Sequence, residues 1–280
     1  MAKNALSMFC QLFGRNNSAI VGMIHVKALP GSPRNTLAMR DIIQRACKEA
    51  EGYKDSGVDS IMIENMHDVP YLPAERMGTE ITASMTAVAC KVREICPSIP
   101  CGVQILSGGN KEALSVAQAA GFDFIRAEGF VFAHVGDEGL MNSCAGDLLR
   151  YRKQIGADNI KIFTDIKKKH CSHAITSDVS IADTAEAAEF FGSDGVIVTG
   201  SATGKAASQQ EISDVQKSVS IPVLVGSGVT TDNVQHYLAA NALIVGSHFK
   251  ENNLWHFDPD FGKVQRFMDK VKHLRDGGTT

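Results

Sequence analysis

The sequence contains no uninterrupted apolar run near the roughly 18 residues that a membrane-spanning helix requires, so no integral membrane segment is expected. It lacks an excess of positive charge. Its 28 Lys and Arg against 31 Asp and Glu leave a formal charge of -3, which argues against general binding to nucleic acid. Seven cysteines (Cys10, Cys47, Cys90, Cys96, Cys101, Cys144 and Cys171) form an odd set without a CxxC pair. Most sit in apolar or helical contexts, where a reduced thiol behaves as a small hydrophobe. The pattern points to a reducing, cytoplasmic compartment. No acidic residue precedes Asp41, and with Lys3, Arg15 and Lys27 the opening stretch superficially resembles a mitochondrial presequence. The preferred alternative is a short amphipathic helix carrying Leu6, Phe9, Leu12 and Phe13, ending at Gly14 and covering one end of the fold.

Two motifs are missing as well. No G-x-G-x-x-G turn follows the first strand, where Lys27-Ala28-Leu29-Pro30-Gly31-Ser32-Pro33 stands instead, which tells against a Rossmann start. No strand carries the H-x-H pair expected of a barrel metallohydrolase. Neither a metal nor a cofactor is assigned.

What is present is the composition of an ordinary globular chain: 280 residues, 44% hydrophobic and 21% charged. That length allows two ordinary domains or one α/β barrel, typically about 250 residues. Short β-branched or apolar runs predict strands over 20–25, 60–65, 101–106, 123–128, 160–167, 195–199, 222–226 and 242–246. Amphipathic patterns predict helices over 36–56, 79–96, 110–120, 181–191, 209–218 and 231–240. Gly121 and Gly192 follow two of these helices, where glycine takes the left-handed conformation without steric cost. Eight strands alternating with helices fit one parallel sheet. Strand count, length and the absence of a Pro/Ser-rich linker favour closure. The expected fold is α/β: a single (β/α)8 TIM barrel over residues 1–280, with a short N-terminal capping helix in the segment 1–18.

Alternate residues of a barrel strand face the lumen or the outer helices, and active sites lie at the C-terminal strand ends. Period-two reading groups Val21, Met23 and His25 in the first strand, and Met62 with Glu64 in the second. It groups Phe124, Arg126 and Glu128 in the fourth, and Lys161, Phe163, Asp165 and Lys167 in the fifth. In the third, Gln104 alternates with Val103 and Ile105. Charges therefore gather on one parity near the strand ends. Isolated charges in an apolar lumen would cost several kcal/mol each, so they must form a paired network, which an acid/base site also requires. His25, Glu64, Arg126, Glu128, Asp165 and Lys167 are the candidate catalytic residues, and Gln104 is a candidate ligand contact. The competing structural reading is a salt-bridge plug, with Arg126 on Glu64 or Glu128 and Lys167 on Asp165.

The seventh strand runs into Gly226-Ser227-Gly228-Val229-Thr230 and the eighth into Gly246-Ser247. Glycine lets a backbone approach an anion closely, a helix start offers unpaired N–H groups, and these loops hold phosphate in many barrels. Thr199-Gly200-Ser201-Ala202-Thr203-Gly204, after the sixth strand, adds hydroxyl and amide donors. Thr199, Gly200, Gly226, Ser227, Gly228, Gly246 and Ser247 are the candidate phosphate-binding residues, and the expected ligand is a small anion. Tight turns need glycine anyway, so the order of the loops carries more weight than any one of them. The remaining histidines read as peripheral. His134 lies with Asp137 and Glu138 in a long loop suited to a lid or a metal. His170 and His173 follow the Lys167–Lys169 run at an i, i+3 spacing that can bind zinc but reads rather as exposed loop beside a solvated charge run, and His67 with Asp68 shapes a rim beside Pro70-Tyr71-Leu72-Pro73.

Several segments together resemble the BtpA/SgcQ family. They are Leu12-Phe13-Gly14, Gly22-Met23-Ile24-His25 with Ala28-Leu29-Pro30-Gly31-Ser32-Pro33, Ile63-Glu64-Asn65-Met66 and Gln104-Ile105-Leu106. Ile125-Arg126-Ala127-Glu128, Val198 to Gly204, Val225 to Val229 and Ile244-Val245-Gly246-Ser247 complete the set. The resemblance covers nearly the whole chain. It departs at Asn241-Ala242, where Asp-Gly is expected in many relatives. It implies a barrel of the ribulose-phosphate-binding type and makes the presequence reading weaker. A cyanobacterial member is associated with photosystem I accumulation, whereas the SgcQ branch sits among sugar-metabolism genes with a nucleosidase activity suggested for it. Neither association assigns catalytic residues. The leading expectation is an enzyme on a small phosphorylated, sugar-like or nucleoside-like metabolite, acting by enolisation, aldol cleavage or N-glycosidic cleavage. The rival is a non-catalytic assembly factor that would use the Pro70–Pro73 loop or residues 255–261 as a partner surface. Barrels of this kind often form homodimers.

Overall fold

All eight expected wall strands are present in the computed structural model, which describes residues 2–200 and 203–277. Ser201 and Ala202 of the expected anion loop, and the Lys3 side chain, lie outside what is described. Helix α1 (Ala2–Phe13) leads into β1 (Ala19–His25), α2 (Met39–Asp55), β2 (Ser60–Glu64), α3 (Thr79–Ile95), β3 (Cys101–Gln104), α4 (Asn110–Ala120) and β4 (Phe124–Ala127). Next come β5 (His134–Gly136), β6 (Gly139–Met141), α5 (Ala145–Gln154), β7 (Lys161–Ile166) and β8 (Cys171–Ser172). The chain continues through α6 (Ile181–Phe190), β9 (Gly195–Val198), α7 (Gln209–Ser218), β10 (Val223–Val225), β11 (Ala242–Val245) and α8 (Phe261–Arg275). The closed parallel barrel has the order β1-β11-β10-β9-β7-β4-β3-β2, and β6-β5-β8 form a separate antiparallel sheet above it. None of the described helices is long and apolar enough to cross a membrane.

Local chemistry accounts for most boundaries. Ser180 and Asp183 form a reciprocal capping box that starts α6, and Gly121 ends α4 in the left-handed region at φ 67°. The helix expected over 231–240 is instead a single 3-10 turn, Val234–His236. Asn233 explains the difference: its Oδ1 accepts from the Thr230 amide and its Nδ2 donates to the Gly228 carbonyl. A side chain that satisfies the local backbone in this way competes with helix formation. Asn241, where the family pattern departs, fixes its turn by accepting from the Val223 amide at 2.8 Å and donating to the Asn16 carbonyl at 2.6 Å.

Two apolar layers result. One lies between the wall and the outer helices, and the other fills the lumen with Val21, Met23, Met62, Phe124, Phe163, Ile197, Leu224 and Ile244. Gly102 on β3 makes room for the Phe124 ring, because a Cβ there would lie 2.1 Å from it. Helix α1 closes the lumen from below. Its Phe9 and Phe13 rings stack at 4.5 Å and meet Phe163 and Phe124 at 6.2 and 5.7 Å. Each buried ring contributes roughly 1.5–3 kcal/mol. Arg15 of the basic, acid-poor opening pairs with Asp59 at 3.1 Å. The N-terminal segment thus covers one end of the barrel, as the amphipathic pattern predicts.

Candidate active site

Strand register assembles the opposite end. His25 of β1 pairs with Glu64 of β2, and Glu64 with Gln104 of β3, so three polar side chains stand in one row. Across the lumen, Arg126 of β4 grips Asp165 of β7: Nε donates to both carboxylate oxygens at 3.2 and 3.0 Å, and Nη2 to Oδ1 at 2.9 Å. Their side chains are only 5% and 1% exposed, so neither charge could stand alone here. Burial works against the Arg126 charge, and the Asp165 and Glu64 carboxyl groups overcome it. Arg126 therefore pairs with Asp165, not with Glu64 or Glu128 as the plug reading required.

His25 and Glu64 are set differently. The Trp255 carbonyl lies 2.8 Å from His25 Nδ1, and a carbonyl can only accept, so Nδ1 carries the proton and Nε2 a lone pair. Burial, reinforced by Lys250, holds the His25 pKa well below its ordinary value and keeps the ring neutral. Nε2 faces Glu64 Oε2 at 3.9 Å. Burial pushes the Glu64 carboxyl pKa up, with Arg126 only partly opposing it. A neutral imidazole and a carboxyl with a raised pKa stand side by side, an arrangement that general acid/base chemistry can use.

Glu128 belongs to a different cluster. Its carboxylate accepts from Gly108 N at 2.9 Å, Ser107 Oγ at 3.2 Å and Gln104 Nε2 at 3.3 Å, and pairs with Lys168 at 3.2 Å. Burial would raise its pKa, but Lys168 and these donors bring it below the ordinary range. Such a satisfied carboxylate positions the β3 and β4 loops. Gln104 serves it, while Gln104 Oε1 has no partner among the described residues.

A cavity of about 90 Å3 sits at the strand ends, lined by His25, Glu64, Arg126, Lys169, Gly226 to Thr230 and Gly246 to His248. A Cβ at Gly226 would fall 2.6 Å from the Ile197 side chain, and one at Gly246 3.3 Å from His25 Nε2, so glycine gives packing room at the first position and leaves the His25 ring open at the second. Gly228, at φ 69°, lies so close to the next loop that a Cβ would fall 2.2 Å from Ala206 N. Among the described residues nothing accepts from the backbone amides of Ser227, Gly228 and Ser247. The Ser227 hydroxyl is a loop staple, accepting from Gly200 N at 2.6 Å and donating to the Lys205 carbonyl at 3.0 Å. Thr199 Oγ1 accepts from Lys169 N at 3.2 Å. Thr199 and Gly200 thus hold the loops from behind.

Lys167 does not reach the cavity. β7 ends at Ile166, and φ of 44° at Lys167 breaks the alternation. Its ammonium donates to the Thr176 carbonyl at 3.2 Å, and Lys169 takes the lumenal place. The three-lysine run signalled charge at this strand end, but the backbone turn that sorts the three had no sequence signature. His134 and His173 meet at 5.4 Å beneath the small antiparallel sheet, yet no group of three metal-ligating side chains occurs among the described residues. His67 and Trp255 meet on the rim with their rings tilted and centroids 5.0 Å apart.

Fold and site together define a (β/α)8 barrel with a charged, glycine-edged pocket at the C-terminal strand ends. The chain belongs to the BtpA family, whose profile matches residues 16–273. It is 49% identical over 269 residues to an uncharacterized mitochondrial protein of Caenorhabditis elegans, covering 95% of this chain and 97% of that protein. It is 30% identical over 260 residues to the photosystem I biogenesis protein BtpA of Synechocystis, covering 92% and 86% respectively. Thiamine phosphate pyrophosphorylase of Pyrococcus furiosus superimposes with a TM-score of 0.56 at 14% identity, over 92% of this chain and 96% of that chain. Mycobacterium tuberculosis tryptophan synthase does so with 0.58 at 15% identity, over 95% and 97%. At such identities the likeness establishes the fold.

Proposed function

We propose that the chain is an enzyme acting on a small phosphorylated, sugar-like or nucleoside-like metabolite bound at the mouth of the barrel. The observation that carries this reading is the convergence, in one cavity, of the His25–Glu64 pair, the Arg126 guanidinium and the amides at Ser227, Gly228 and Ser247. An anionic group fits the amides, a side of the pocket where glycine leaves the backbone bare. The name of one structural neighbour, a thiamine phosphate pyrophosphorylase, is in keeping with that chemistry. His25 Nε2 then removes a proton from the substrate and Glu64 supplies one, while Arg126 steadies developing negative charge. Groups of this kind contribute about 10²–10⁴-fold each. Enolisation, retro-aldol cleavage and N-glycosidic cleavage all use this set. The same proposal puts the chain in a reducing compartment, on its seven unpaired thiols, where the name of the Caenorhabditis elegans relative favours mitochondria over the expected cytoplasm, and allows a homodimer.

The assembly-factor reading has the name of the Synechocystis relative behind it. Of the surfaces expected to serve it, Leu72 and Phe257 are exposed, but Trp255 is engaged with His67 over the mouth. A thermal-shift screen with inorganic phosphate, ribose 5-phosphate and nucleosides separates the two readings. A ligand at 100 times its Kd stabilises the native state by about 2.7 kcal/mol. A clear rise in Tm with ribose 5-phosphate is the expected result. No rise with any compound at millimolar concentration defeats the enzyme reading.

A further inference from the structure

Three lysines follow β7, and the backbone sends them to three places. Lys167 donates to the Thr176 carbonyl and Lys168 pairs with Glu128. Lys169 lines the cavity beside Glu64 and Arg126, its own amide anchored on Thr199 Oγ1. Among the described residues no carboxylate or carbonyl takes up its Nζ. Lys169 is half-buried, and an ammonium with no partner in the protein is free to meet whatever enters the cavity. A free amine facing a substrate pocket is what nucleophilic lysine chemistry uses.

We propose that Lys169 forms an imine with the carbonyl carbon of a phosphorylated aldehyde or ketone held in this cavity, an inference that rests on the metabolite reading above. The amine electron pair makes the C–N bond while the carbonyl π pair moves to oxygen. That oxygen takes the proton lost by nitrogen, giving a neutral carbinolamine. The Glu64 carboxyl then gives its proton to the new hydroxyl, the nitrogen pair forms C=N, and water leaves. The products are a protonated imine, water and a Glu64 carboxylate that balances the new charge. No oxidant or reductant is needed. Supporting the geometry, burial and the neighbouring Arg126 guanidinium lower the Lys169 pKa, with Glu64 working the other way, and this enlarges its nucleophilic fraction.

Reductive trapping tests the proposal. The full chain is incubated separately with glyceraldehyde 3-phosphate, dihydroxyacetone phosphate and ribose 5-phosphate. Borohydride is added, and tryptic peptides are mapped by mass spectrometry. With at least one probe, a single secondary-amine adduct is expected at Lys169. It should be suppressed by excess inorganic phosphate, lost in Lys169→Met and retained in Lys167→Met. Mapping the unmutated chain locates the adduct even if Lys169→Met folds poorly. Labelling spread over surface lysines, or absent while the same compounds still raise Tm, overturns the imine and leaves the metabolite site standing. Neither adduct nor Tm rise removes both.

Discussion

The floor and the mouth of the lumen are made by the same eight strands, and they treat buried space in opposite ways. At the floor, Phe9, Phe13, Phe124 and Phe163 fill the volume with rings, and among the described residues Lys161 meets only Met8 Sδ of α1 at 3.4 Å. At the mouth, the next residues of the same parity are His25, Glu64, Gln104, Arg126 and Asp165, all buried and all needing partners. Apolar packing at one end contributes the free energy that lets charges be buried at the other, where desolvation works against stability. The difference teaches where to expect function: the polar end is the one that packing alone would not have produced.

The largest effect should come from breaking the charge pair. Asp165→Ala leaves the Arg126 guanidinium buried and uncompensated, and should lower unfolding stability by about 3–5 kcal/mol. A loss under about 1 kcal/mol in urea denaturation would mean that water reaches Arg126 freely. At the floor, Phe9→Ala should cost about 3 kcal/mol. Unlike the first change, it should leave the ligand-induced rise in Tm intact, and a loss of that response would erase the division between the two ends. Gly228→Ala forces a Cβ against Ala206 at a left-handed position, with an expected cost of about 1–3 kcal/mol. Its sharper readout is the phosphate response, which should vanish while far-UV circular dichroism is kept. The smallest effect concerns pH. Burial, aided by Lys27, lowers the His67 pKa from 6.5 to about 4. Between those values the unfolded chain binds a proton that the folded chain refuses, so stability falls as pH drops through that window. His67→Gln should flatten this part of the stability profile, whereas Phe9→Ala should shift the profile without changing its shape.

Much of the barrel was legible because its signal is periodic. Alternation in β1, β2, β4 and β7 identifies the lumenal face, and with it His25, Glu64, Arg126 and Asp165. The glycine loops were legible through Gly226, Gly228 and Gly246, whose bare backbones edge the cavity. What escaped was whatever depends on one dihedral angle or one side chain. Lys169 replaced Lys167 because a positive φ reset the alternation where the strand ended. Asn233 replaced a helix with a single turn. The sheet of β5, β6 and β8 joins strands of two or three residues, too short to leave a pattern. Glu128 reads as a catalytic candidate and Ser227 as a phosphate contact, but no pattern foretells that the Glu128 carboxylate and the Ser227 hydroxyl hold loops together, leaving the Ser227 amide.

The aromatic plug supplied by α1 has a kinetic corollary. With Phe9 and Phe13 seated against Phe124 and Phe163, the lumen is a cul-de-sac. Among the described residues, the route to Arg126 runs through the open mouth, so a ligand there and the solvent it displaces must take turns. In such a blind channel, exchange is governed by traffic at the entrance, far from the helix that seals the other end.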